Sequence, residues 1–162
     1  MIEIGRLPVE RWEDYKKLRL EALAHDPSAF GSSVEEEEAQ SEDDWKRRIP
    51  NVLFAMSGDR PVGMIVFVTN SRIKTKHTAE IFGVYVKSSH RGKGIGSELL
   101  GEALSQIRKN RSVLKVSLSV NPEQEPAVEL YRKAGFEVVG RARKDLKVGR
   151  RFYDLLYMEK FL

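Results

Sequence analysis

The 162-residue chain contains no cysteine. This absence excludes disulfide bonds, thiolate metal sites and a cysteine nucleophile, so an acyl group cannot be carried on the protein as a cysteine thioester. No apolar run approaches the roughly 20 residues of a membrane span, and the N-terminal sequence has no secretory signal pattern. Internal repeats and interdomain linkers are also missing. We therefore expect a cytoplasmic protein with a single domain over residues 1–162.

Charge is mild overall but uneven along the chain. The formal net charge is +4, seven acidic residues fall between positions 35 and 44, and the segments 87–115 and 132–151 are basic. A basic surface is also found in nucleic-acid binders, but no nucleic-acid motif occurs here and the basic residues are not interleaved with aromatic ones. A basic patch suits the phosphates of a small ligand equally well. We expect no nucleic-acid partner and no membrane partner.

Hydrophobic periodicity and turn residues predict the element order β-αα-βββ-α-β-α-ββ. The predicted strands cover residues 2–6, 52–57, 62–69, 79–86, 113–120, 136–143 and 151–161. The predicted helices run from 8 to about 25, from a Ser33 capping box to about 49, from about 94 past 107, and from 127 to 134. Hairpins joined through crossover helices predict a mixed sheet with helices on both faces.

A glycine-rich turn joins the strand that ends at Val86 to the helix that follows. Gly92, Gly94 and Gly96 leave backbone amides uncovered where that helix begins, so the amides and the helix dipole favour a phosphate there. Arg91 and Lys93 add positive charge. The spacing matches neither a nucleotide-triphosphate loop nor a dinucleotide fingerprint, because the required glycine and lysine positions are filled by other residues.

The run Arg91-Gly-Lys-Gly-Ile-Gly96 resembles the acetyl-coenzyme A signature of the GNAT N-acetyltransferase superfamily, and the element order resembles that of the GNAT fold. The resemblance implies a mixed α+β (α/β) fold: a central sheet of six to seven strands flanked by about four helices on both faces. It implies transfer of an acetyl group from acetyl-CoA directly to a primary amine in a ternary complex. The backbone of the preceding strand would bind pantetheine and the loop amides the pyrophosphate, through Val84, Tyr85, Val86, Arg91, Gly92, Lys93, Gly94, Ile95, Gly96 and Ser97.

The segment 127–136 resembles the second GNAT signature and places Tyr131 where many members have a tyrosine facing the coenzyme sulfur. A phenol can donate a hydrogen bond or a proton to the departing thiolate. The alternative is an aromatic side chain that only fills the core.

Glu80 lies eleven residues before Arg91, where some GNAT enzymes have a catalytic base that deprotonates the ammonium of the acceptor. The alternative is an acid at a solvated strand end. In a regular strand Glu80 and Val84 share a face, and a bulge would change that.

The remaining expectations concern the donor contacts and the acceptor. By spacing, Gln124 occupies the position of the family's asparagine, and Asn121 is a possible substitute. The acceptor pocket would involve Phe30, the acidic run 35–38 and the segment 150–154; we expect that run to be a solvated helix face. The histidines have no metal-ligand spacing, so we expect no metal. A homodimer is possible. A non-catalytic acyl-CoA sensor on the same fold is the alternative function.

Overall fold

A computed structural model describes residues 1–162, and its centre is one seven-stranded sheet in the order β1-β2-β3-β4-β5-β7-β6. The strands are β1 Ile2–Gly5, β2 Val52–Ser57, β3 Arg60–Thr69, β4 Thr78–Val86, β5 Lys115–Val120, β6 Glu137–Val148 and β7 Arg151–Phe161. All neighbours are antiparallel except β4 and β5. The predicted mixed sheet is confirmed.

Five α-helices accompany the sheet: α1 Trp12–His25, α2 Val34–Glu38, α3 Glu42–Arg48, α4 Ile95–Arg108 and α5 Glu125–Lys133. Short 3-10 turns cover Val9–Arg11, Pro27–Ala29, Ile49–Asn51 and Ser88–His90. None of the helices is both long and apolar enough to cross a membrane.

The single helix predicted from Ser33 to about residue 49 is wrong, because the chain forms two short helices there. The predicted capping box of Ser33 with Glu36 is present at the start of α2. A second box, in which the Ser41 hydroxyl accepts from the Asp44 amide and the Asp44 carboxylate accepts from the Ser41 amide, starts α3. Ser41 has extended backbone angles, so the first helix ends before it.

Each face of the sheet carries its own buried cluster. On one face the predicted apolar stripe of α4 is buried together with α5 and the sheet. On the other face, α1 and α3 pack Tyr15 against Trp45 and Phe54 in edge-to-face contacts, with ring centroids 5.3 and 5.6 Å apart. The strand order places the parallel pair β4 and β5 in the interior of the sheet, between these two covered faces, and the candidate site forms there.

Candidate active site

The candidate site lies where β4 and β5 separate. The two strands pair only from Thr78 to Glu80 on β4 and from Lys115 to Ser117 on β5, although both continue for several residues. Beyond this point the edge of β4 that faces β5 has no strand partner. A cavity of about 450 Å³ occupies the gap, and residues from both faces of the sheet line it. Its size is typical of small-molecule sites.

A β-bulge in β4 sets which side chains face each half of the cavity. Met64 pairs with Tyr85 and Val66 with Phe82, so β4 contains one extra residue at this point. Gly83 has φ +63° there, and an added Cβ would lie 3.0 Å from Val66 Cγ2. The backbone conformation and the close neighbour therefore both favour glycine.

The bulge changes the alternation that a regular strand would have. Ile81 and Val84 both pack on the α4 side, whereas Tyr85 packs on the α1 side. The strand is therefore not regular here, and of the two arrangements considered from the sequence the bulged one is present, with Glu80 and Val84 on opposite faces. The Tyr85 hydroxyl donates to Glu21 at 3.1 Å. Burial and the Glu21 carboxylate raise the pKa of Tyr85 to about 12, so its side chain stays neutral at ordinary pH.

The glycine loop forms the end of the cavity beside α4. Gly92 has φ +75° and Gly94 φ +81°, a region that favours glycine. No side chain caps α4, and the first amide that bonds to the Gly94 carbonyl is that of Glu98. The preceding amides of the first turn are left without intrahelical partners. Most of the predicted phosphate-loop residues line the cavity: Arg91, Gly92, Gly94, Ile95, Gly96 and Ser97.

The two basic side chains of this loop differ in their surroundings. Arg91 Nε donates to the Val86 carbonyl at 2.8 Å, and its Nη2 bonds the Asp26 carboxylate at 2.7 Å. The Arg91 side chain therefore connects the end of β4 to the end of α1. Lys93 is exposed and does not line the cavity, so its side chain adds positive charge only from the surrounding surface.

Tyr131 of α5 lines the cavity and is 6% exposed. Its ring packs edge-to-face on Phe136 with the centroids 6.0 Å apart. Burial raises the pKa of the Tyr131 phenol well above its usual value, with no opposing contribution from a nearby charge. The phenol is therefore neutral at ordinary pH and remains a hydrogen-bond donor. Both sequence interpretations apply to this residue, which is part of the core and also reaches the cavity.

Asn121 and Gln124 line the cavity and also hold the segment after α1 in place. Asn121 Nδ2 donates to the Ser28 carbonyl at 3.1 Å, and its Oδ1 accepts from the Glu123 amide at 2.9 Å. Gln124 Nε2 lies 3.2 Å from the Ser28 hydroxyl. The two amide side chains thus connect the start of α5 to the 3-10 turn Pro27–Ala29 across the cavity.

Glu80 is exposed and does not line the cavity. It precedes the bulge, in the last residue pair that β4 makes with β5.

His90 does line the cavity, and its Nδ1 lies 2.8 Å from the Ser89 hydroxyl. No group of three or more histidine, aspartate or glutamate side chains with the arrangement of a metal site occurs in the chain.

The α1 side of the cavity contains a residue that the sequence reasoning missed. Arg19 of α1 lines it beside Phe30, with the guanidinium carbon 5.0 Å from the ring centroid. Arg19 Nε donates to Glu37 at 2.8 Å, and Glu37 is 3% exposed. The expectation that residues 35–38 form an entirely solvated face is therefore wrong at Glu37. Neither that run nor the segment 150–154 lines the cavity.

The chain belongs to the acetyltransferase (GNAT) family. The family's sequence model matches residues 12–136, well over half of the chain. Membership makes acetyl transfer the class of reaction. The family that the loop and the element order resemble is thereby confirmed.

Individual relatives agree with this assignment. The L-amino acid N-acetyltransferase AaaT of Escherichia coli K12 is 27% identical over 122 residues, which are 72% of this chain and 74% of that protein. A GNAT-family acetyltransferase from Streptococcus pneumoniae superposes with a TM-score of 0.89 at 19% identity, covering 100% of both chains. A phosphinothricin acetyltransferase from Sinorhizobium meliloti, solved with acetyl-CoA, superposes with a TM-score of 0.80 at 17% identity, covering 99% of this chain and 88% of the other.

Proposed function

We propose that the chain, as one domain, transfers the acetyl group of acetyl-CoA directly to a primary amine while both substrates are bound. The observation that carries this proposal is a single cavity whose wall includes both the glycine loop and Arg19 of α1. Such a cavity can bring a donor and an acceptor together, which removes much of the entropic barrier to a bimolecular reaction. With no cysteine in the chain, direct attack of the amine on the thioester is the simplest route.

The donor would bind in two parts. The amides from Gly92 to Ser97 would hold the pyrophosphate, where the positive end of the α4 dipole adds to their attraction. The amide of Arg91 already donates to the Ser88 carbonyl at 3.4 Å, so this residue would contribute through the charge of its side chain. The unpaired edge of β4 from Val84 to Val86 would hydrogen-bond the pantetheine arm as a neighbouring strand otherwise does. A backbone amide of this strand would polarise the thioester carbonyl and stabilise the oxyanion that forms on attack.

Tyr131 would assist departure of the coenzyme thiolate. A thiol of ordinary pKa, about 8.5, is more acidic than a buried phenol, so complete proton transfer from Tyr131 is unfavourable. We therefore assign Tyr131 the role of hydrogen-bond donor to the sulfur as negative charge develops there. Its raised pKa keeps that donor present over the whole working pH range.

Glu80 would remove a proton from the ammonium form of the acceptor. Because it is exposed and outside the cavity wall, we assign it transfer through water rather than direct contact. Replacing Glu80 with Gln should lower the rate more at low pH, where most amine is protonated, than at high pH. A ratio of wild-type to variant rates that does not change with pH would remove Glu80 from the mechanism.

The experiment that tests the function combines two measurements on the purified chain. Titration calorimetry with acetyl-CoA should show micromolar binding. A panel of amino acids, polyamines and lysine-containing peptides should then include an amine that triggers release of coenzyme thiol with formation of an equal amount of N-acetyl product. Binding without turnover by any amine would favour the acyl-CoA sensor. Absence of binding at millimolar acetyl-CoA would contradict the donor site.

A further inference from the structure

Arg19 is a buried cation with an unused hydrogen-bond donor at the wall of the cavity. The residue is 6% exposed and lines the cavity. Its Nε is bonded to Glu37, whereas its Nη1 is buried and has no hydrogen-bond partner. A buried donor of a charged group without an acceptor is costly. Such a group is normally satisfied, so its presence beside a cavity points to a ligand that supplies the acceptor.

The charges around Arg19 indicate that this ligand is an anion. Glu37 accepts from Arg19 and also from Arg48, whose Nη1 lies 2.7 Å from the second carboxylate oxygen. Two guanidinium groups therefore share a single carboxylate, and the three groups together carry one net positive charge. Of the two arginines, Arg19 lines the cavity and Arg48 does not. The excess charge can be neutralised from the cavity only through Arg19, and a carboxylate matches its donor geometry.

The position of Arg19 relates this anion to the reacting amine. Its Nη1 lies 3.1 Å from the place where a Cβ on Gly83 would stand, so the guanidinium contacts the bulge of β4. In the proposed function the thioester lies against the residues that follow this bulge, and the attacking nitrogen must approach it there. A carboxylate bonded by Arg19 would then be close to that nitrogen.

From this geometry we infer that Arg19 binds the carboxylate of the acceptor, and that the acceptor is a free α-amino acid or a close analogue. In an α-amino acid a single carbon separates the amino nitrogen from the carboxylate, so a carboxylate held by Arg19 beside the bulge would keep the amine near the proposed position of the thioester. A lysine side chain in a peptide has no carboxylate near its amine, and a polyamine would bring a second cation towards Arg19. This inference rests on the proposed N-acetyl transfer and specifies its acceptor.

The first test compares wild-type enzyme on each common L-amino acid and on the corresponding primary amide. The amide keeps the side chain and the amine and removes only the negative charge. Rates are referred to the concentration of unprotonated amine, because the amide has a more acidic ammonium group. We expect kcat/KM for the best acid to exceed that of its amide by about ten- to hundredfold, the range for a charge-assisted hydrogen bond. Equal values for acid and amide would overturn the inference.

The second test uses Arg19→Gln with Arg48→Gln as its matched control. Both variants remove a guanidinium from Glu37, but only Arg19 lines the cavity. Arg19→Gln should raise KM for the acid and abolish the preference for acid over amide, whereas Arg48→Gln should keep that preference. Arg19→Lys should restore part of it. Equal losses for acid and amide in Arg19→Gln would show that Arg19 only supports the fold.

Further outcomes separate this inference from the function on which it rests. If acetyl-CoA binds and is used to acetylate polyamines or lysine peptides but not amino acids, the role of Arg19 is wrong and the acetyltransferase function stands. If acetyl-CoA does not bind, the proposed function is wrong, and the inference is overturned with it. If Arg19→Gln does not fold, the comparison of acid and amide in the wild-type enzyme and in Arg19→Lys decides.

Discussion

Gly94 offers the sharpest test of the donor site, because the chain contains a matched control for its backbone strain. Gly94 has φ +81° and nothing within 4 Å of an added Cβ. Gly58, in the turn between β2 and β3, has φ +60° and also has nothing within 4 Å of an added Cβ. Unlike Gly94, it does not line the cavity. Replacing either residue with Val should cost a similar free energy of unfolding, about 2 kcal/mol, from the left-handed conformation alone. Both variants should therefore melt about 4–8 °C lower than the wild type.

Only the Gly94 variant should lose acetyl-CoA binding. Its side chain would stand in the space that the pyrophosphate is proposed to occupy and keep the phosphate away from the amides of the first turn of α4. Loss of a charge-assisted hydrogen bond costs about 1.5–3 kcal/mol, so loss of two or more corresponds to at least a hundredfold higher Kd. Calorimetric titration of Gly94→Val and Gly58→Val measures both values. Equal affinity in the two variants would refute the assignment of the loop.

The other predictions concern the leaving group and the buried charges. Tyr131→Phe should lower kcat about ten- to hundredfold, the loss of one hydrogen bond to a developing charge, with little change in acetyl-CoA affinity, as measured by initial rates and calorimetry. Because the folded-state pKa of Tyr131 is raised, its contribution to stability is present below the unfolded value near 10 and is lost as pH rises above it. Denaturant titrations should therefore show a shallower alkaline loss in this variant. Glu37→Ala should destabilise the fold by about 3–5 kcal/mol, since it leaves two guanidinium groups without their carboxylate, whereas the exposed control Glu35→Ala should change stability by about 0.5 kcal/mol or less. Ser41→Ala should cost about 1 kcal/mol by removing a helix cap. An unchanged unfolding midpoint in Glu37→Ala or Ser41→Ala would contradict the corresponding assignment.

The glycine loop and the helix that follows it could be predicted from the sequence because their signals are local. The glycines at 92 and 94 adopt the left-handed conformations that only glycine takes readily, and the apolar stripe of α4 begins directly after them. The strand, the loop and the helix are consecutive in the chain. A short segment therefore contains both the conformational and the chemical information for a phosphate site.

The α1 side of the cavity could not be predicted because its signals depend on distant partners. Glu37 lies in an acidic run that resembles a solvated helix face, and Arg19 is a charged residue among the leucines of α1. The two residues are buried as an ion pair on the α1 side of the sheet. The bulge at Gly83 is visible only in the pairing of β4 with β3. A single glycine in a strand is compatible with several backbone geometries, so the sequence alone did not determine which face each side chain of β4 would take.

The break between α2 and α3 was missed for a different reason. The acidic residues around it are good helix formers, and the sequence pattern favoured one continuous helix. Ser41 instead caps a new helix together with Asp44. Serine and aspartate side chains compete with helical backbone bonds in this way, and the outcome is decided by packing of Trp45, which is fully buried at the centre of α3.

The measurement that tests the central claim most directly is the initial rate of acetyl transfer with acetyl-CoA and an accepted amine varied together. Direct transfer in a ternary complex predicts intersecting reciprocal plots, and mass spectrometry should detect no acetylated enzyme when acetyl-CoA is present without the amine. Parallel reciprocal plots together with an acetylated enzyme would contradict the account, because they would establish a covalent intermediate in place of direct attack.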